Sequence, residues 1–184
     1  TAIVQSEENY ISLNYDIPKA LSRECPNPSS LLWSHGFRLT ESVWVMPESS
    51  LSAGDVEELF ALWTSYSIEF HLLEYSASQR EKVRAIAARK LSEELVRVHT
   101  ALIVRIGAAD EALRKAEMGE ATVKVTDARK KNVTARKAII RESAESLDAS
   151  IACAELFDQY DRVADLLKGL RLAIASERAA VRGA

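Results

Sequence analysis

From Ser78 to Val181 the chain holds no proline, and its only glycines there are Gly107, Gly119 and Gly169. Proline breaks helices and glycine loosens them, so a stretch this clear of both can run helical almost throughout. Periodicity agrees. Val83, Ala87, Leu91, Leu95, Val98, Leu102, Ile106, Ala109 and Leu113 recur three or four positions apart, the spacing of one helix face. Lys82, Arg89, Glu93 and Arg97 lie off that seam. Forty residues at 1.5 Å rise make a rod of roughly 60 Å, too long to pack on a small domain alone. A second helix must lie beside it. Gly119 is the best turn, and Ile140, Ser143, Leu147, Ile151, Ala154, Phe157, Tyr160, Val163, Leu167, Leu170 and Ile174 make the second seam. That seam is longer than the first. Serines and an aspartate lower helix propensity over Ser143–Ser150, so a break is expected there. The expectation for residues 77–184 is a long antiparallel helical hairpin or coiled coil, completed by dimerisation.

The first 76 residues differ. All three tryptophans, Trp33, Trp44 and Trp63, fall in them. Ile11, Leu13, Tyr15 and Ile17 alternate with Ser12, Asn14 and Asp16, which reads as a half-buried strand ended by Pro18. Asn27 and Pro28 start a short helix over Ser29–His35, burying Leu31 and Leu32, with Gly36 expected as its left-handed cap. Phe37–Leu39 and Ser42–Met46 read as a hairpin closed by Pro47. Ser52 is expected to cap a helix with Asp55 at the reciprocal position, and Val56, Leu59, Phe60, Leu62 and Trp63 give that helix its apolar face. Ile68, Phe70 and Leu72 form a fourth strand. The fold class is therefore α+β: a ferredoxin-like β-α-β-β-α-β head over residues 1–76, with both helices on one sheet face. The other face needs a cover, from a partner or from the following helices.

Charge is divided between the halves. Residues 1–76 carry three basic and eleven acidic side chains, while residues 120–142 carry seven basic and three acidic. Arg129, Lys130, Lys131, Arg136, Lys137 and Arg141 form a basic island. On a helix, 130, 137 and 141 share one side and 129 and 136 a neighbouring stripe. Two partners suit such an island: the phosphates of a nucleic acid, bound with strong salt dependence, or the acidic head of another subunit. No interleaved aromatics suggest stacking on single strands.

Catalytic and cofactor motifs are missing. His35, His71 and His99 have no second ligand type at helical spacing, and no serine sits in a Gly-x-Ser-x-Gly elbow. Neither a phosphate loop nor a dinucleotide fingerprint occurs. Cys25 and Cys153 are distant and belong to no ligand cluster, which fits a reducing compartment. Cys25, in a proline-rich loop, is the more reactive candidate; Cys153, in an apolar seam, is expected to be packed. No apolar run reaches bilayer length, and no leader is visible. The expectation is a cytoplasmic, non-enzymatic homo-oligomer without metal or cofactor.

The segments "ISLNYDIP", "NPSSLLWSHGF" and "RLTESVWVMP" together resemble the N-terminal region of chromate-resistance regulatory proteins. In that family a first strand ends in proline, a short helix carries a tryptophan, and a later strand reads close to "VWVLP". Pro18, Trp33 and Val43–Pro47 match those features over about residues 10–100. The first helix here lacks the arginines and lysines that family members tend to carry. The resemblance implies the fold, with a further strand and a long helical segment to follow; the regulatory, nucleic-acid-associated role is read from the basic island instead. The other function in view is structural: self-association of acidic head and basic helical arm into a larger complex.

Overall fold

The structure is a computed structural model and describes residues 7–119 and 122–183. Its described elements run β1 (Tyr10–Tyr15), α1 (Ser29–Leu32), β2 (Phe37–Thr40), β3 (Val43–Pro47), α2 (Gly54–Ser65), β4 (Phe70–Glu74), α3 (Arg80–Gly119), α4 (Thr122–Leu156) and α5 (Tyr160–Arg182). The class is α+β, a four-stranded antiparallel sheet followed by long helices. Strand order is β2-β3-β1-β4, with Leu13 of β1 opposite both Trp44 of β3 and Leu72 of β4. The chain divides into two compact units, Thr1–Lys90 with Ala152–Tyr160, and Leu91–Ile151 with Asp161–Ala184.

In the first unit, alternation along β1 sends Ile11, Leu13 and Tyr15 to the helix-covered face. There they join Trp44, Met46, Leu32, Leu59, Trp63 and Ile68 in one core. Trp44, Trp63, Leu13 and Leu32 are completely buried, each worth about 1.5–3 kcal/mol. Trp33 meets Trp44 edge-on, and Phe60 stacks on Phe70 at 4.8 Å. The opposite face is covered from within the chain. Phe157 stacks on Tyr10 at 5.2 Å and meets Phe37 edge-on at 4.9 Å. Arg84 of α3 donates to the Tyr10 hydroxyl at 3.0 Å.

Local details depart from the sequence reading. Helix α1 stops at Leu32, short of His35, and Gly36 has no left-handed backbone. Gly36 serves close approach instead: a Cβ there would lie 2.1 Å from the Val45 carbonyl oxygen. Ser52 does not cap α2. Its hydroxyl donates to Ser49 O at 2.9 Å, and the helix starts at Gly54. The Asp55 carboxylate pairs with His35 at 2.9 Å, which holds its pKa below the ordinary value, helped by the Val56 N–H. Strand β4 begins at Phe70, because Ser67 turns the chain through positive φ and Ile68 drops into the core.

Among the described residues the helical part holds three helices, and the break that separates the last two lies elsewhere than expected. Ser143–Ser150 is unbroken helix. Ser143 is buried and donates to Ile139 O at 2.9 Å, so its hydroxyl is satisfied along its own helix. The break comes at residues 157–159. Asp158 takes a left-handed φ of 53°, the Gln159 N–H reaches Ala154 O at 2.8 Å, and the Gln159 amide donates to Asp158 O at 2.8 Å. Those bonds satisfy carbonyls that a helix end leaves open.

Within the second unit, ion pairs give the helix directions. Arg129 pairs with Glu117, Arg136 with Asp110, and Arg105 with Glu142, so α4 runs antiparallel to α3. Arg136 also reaches Glu177 at 2.9 Å, which sets α5 against α4. Leu95, Leu102, Ile139, Leu147, Leu167 and Leu170 are buried among them.

Gly36→Ala is expected to lower the unfolding free energy by about 3 kcal/mol, because backbone must move to admit the methyl group. A urea titration measures it; an unchanged midpoint would show that the approach of Gly36 to Val45 is slack.

Candidate functional site

The basic island divides when folded. Arg129 is held by Glu117 at 3.0 Å, and Lys131 by Asp127 at 2.9 Å. Arg136, with only 17% of its side chain exposed, bridges Asp110 and Glu177. Asn132 donates to the same Asp110 at 3.1 Å. These groups form a polar cross-link among three helices. Lys130, Lys137 and Arg141 are exposed and form no ion pair with a described residue. They are the half of the island still open to a partner.

Lys137 and Arg141 line a depression of about 340 Å³ between α4 and α5. Ile140, Ala144 and Val181 supply its apolar part, and Glu145 and Asp148 stand further along α4. Arg178 and Arg182 enter from α5. Four cations thus converge from two helices, each pair spaced by four residues so that both members share a face. Arg105 holds Glu142 below the usual carboxylate range by a direct hydrogen bond, and the charges of Arg105 and Arg141 add to that. Lys137 and Arg141 are legible in the sequence as part of a basic island, whereas Arg178 and Arg182 belong to no such cluster there. Their four-residue spacing was visible, yet only the reversal at Asp158 sets α5 beside α4.

The surface suits anions: several fixed positive charges, solvent access, and an apolar strip that admits the face of a sugar or side chain. His35 is occupied by Asp55, while His71 is exposed on β4. Among the described residues no group of three His, Cys, Asp or Glu side chains could hold a metal ion. None of their helices is long and apolar enough to cross a membrane.

Cys25 corrects the sequence reading: it is 1% exposed and belongs to the core beneath the sheet. Cys153 is equally buried, its Sγ 3.7 Å from Gly36 O, and burial pushes its pKa up to about 12. Reactivity needs an accessible thiolate, so Cys153 is disfavoured by its raised pKa and both thiols by their burial.

No family model, curated protein or solved structure matches this chain.

Both thiols are expected to resist iodoacetamide at neutral pH in the native protein and to react fully in urea. Stoichiometric labelling of Cys25 in the folded state, followed by peptide mass analysis, would contradict its place in the core.

Proposed function

We propose that this chain is a non-enzymatic regulatory protein of the cytoplasm that works as an oligomer and binds nucleic acid through the cationic face of α4 and α5. The carrying observation is the convergence of Lys137, Arg141, Arg178 and Arg182 on one solvent-open depression. Lys130 extends the same charge along α4. In this reading the first unit is a ferredoxin-like module of the kind found in chromate-resistance regulators. Element order β-α-β-β-α-β, strand order β2-β3-β1-β4 and all-antiparallel pairing support that assignment. The matched "VWVMP" strand supports it too: Trp44 and Met46 fill the core, and Pro47 ends the strand.

Phosphate recognition by these side chains is a backbone contact and carries little sequence information. Affinity then comes mostly from displaced counterions. Four contacts give a log–log salt slope of about −3 to −4, or roughly a hundredfold weaker binding between about 50 and 200 mM salt.

A second reading is assembly, in which the acidic first unit of a neighbouring copy occupies the depression. Its apolar strip of Ile140, Ala144 and Val181, and the acids Glu145 and Asp148 beside the cations, favour a protein surface over a bare phosphate chain.

Fluorescence titration of a short duplex at several salt concentrations separates the readings. The slope should fall by about two on changing Lys137 and Arg141 together to alanine, and by about two again on changing Arg178 and Arg182. Absence of binding at low salt, or a slope unmoved by the four changes, overturns the nucleic-acid reading. If the same changes instead dissociate a self-assembled species, the depression is an assembly contact.

A further inference from the structure

The two edges of the sheet are built differently. Strand β2 has four residues, and its register with β3 shifts between Arg38 and Thr40. Irregularity of this kind discourages pairing with another chain. Strand β4 pairs with β1 without interruption over all five residues, and four of the five are exposed. Leu72 is 41% and Leu73 is 61% exposed, one on each face. Leu62 of α2 and Tyr66 just after it are also exposed, and Phe60 of α2 stacks on Phe70 of β4.

The hydrogen bonds fix which backbone groups of β4 are spare. Tyr75 N–H donates to Tyr10 O, and Asp16 N–H donates to Glu69 O. Antiparallel ladders alternate, so residues 69, 71, 73 and 75 bond inward to β1. The N–H and C=O groups of Phe70, Leu72 and Glu74 therefore point outward.

We propose that β4 pairs with β4 of a second copy of this chain, antiparallel about a two-fold axis through Leu72, joining two four-stranded sheets into one of eight. The choice of occupant rests on self-complementarity. Residues facing across a continuous antiparallel sheet share a face, so their numbers have equal parity. Centring on Leu72 meets that rule and uses the outward-pointing residues. This register pairs the whole strand: Leu72 with its own copy, Phe70 with Glu74, His71 with Leu73. No acid faces an acid. Centring on Glu74 would set two carboxylates opposite each other, and centring on Phe70 would leave most of β4 unpaired. An isologous contact of this kind closes at two copies and spends the exposed edge.

The inference rests on the oligomeric part of the proposed function and is independent of its nucleic-acid part. Acidic side chains outnumber basic ones in residues 1–76 by eleven to three, so the joined sheets repel each other through solvent. Salt screens that repulsion. Dimerisation should strengthen with salt, whereas phosphate binding weakens, and the two failures can be told apart.

Sedimentation velocity over a concentration series, at low and high salt, should show a monomer–dimer equilibrium that tightens with salt. Leu72→Lys should weaken it by about a hundredfold, through loss of the apolar contact and a like-charge pair on the axis. Circular dichroism checks that the variant is folded. Hydrogen exchange of the unaltered protein supplies a readout that no variant can confuse. Amides of Phe70, Leu72 and Glu74 should gain protection as concentration rises, while those of His71, Leu73 and Tyr75 stay protected throughout. A monomer at every concentration, or a dimer whose Leu72 and Glu74 amides exchange as fast as in the monomer, overturns the proposal.

Discussion

A four-stranded sheet has two apolar faces to hide, and α1 and α2 can cover only one. The other face bears Tyr10 and Phe37, and the ring that closes over both belongs to Phe157, far along the chain and completely buried. This aromatic contact constrains much else. It requires helix α4 to end where it does, because a straight continuation could not present Phe157 and then reverse. Asp158 accepts a left-handed conformation to make the reversal, at a cost of about 1–2 kcal/mol for a residue with a Cβ. Burial of Phe157 offsets that cost. Near the same ring, Cys153 lies against the Gly36 carbonyl, and Gly36 in turn lies against Val45. The packing is tight enough that side-chain size is fixed at several positions together.

What could be read from residues alone follows from how local each signal is. Strand β1 was plain because period two is written into Ile11, Leu13 and Tyr15 themselves. The long helices were plain because proline is absent. The break at 157–159 was hidden, since it uses neither glycine nor proline: an aspartate in a strained conformation, held by a distant aromatic pocket, leaves no local trace. Ser143–Ser150 misled for the converse reason. Helix propensity is a weak prior, and Ser143 is satisfied by its own helix inside a packed layer. Gly36 reads locally as a helix cap, whereas its constraint is the Val45 carbonyl from another strand.

The candidate site shows the same limits in electrostatic form. Counting cations located the island but could not tell which were already engaged. Arg136 is a half-buried link between Asp110 and Glu177, and Arg129 and Lys131 pair with exposed acids. Exposed pairs of that kind contribute only about 0–1 kcal/mol each and exchange readily with another anion. The free cations that remain, joined by Arg178 and Arg182, carry the functional reading. Their arrangement follows from the reversal at Asp158, the residue next in sequence to the ring that covers the sheet.

The most direct test of that dependence is the stability of Phe157→Ala, followed by urea unfolding and by amide exchange in β1 and β2. Removing the ring should cost about 3–5 kcal/mol, as for other fully buried phenylalanines, and should expose the amides of both strands to exchange. A loss below about 1 kcal/mol, with the sheet amides still protected, would mean that the second face is stable uncovered and that the reversal has another cause.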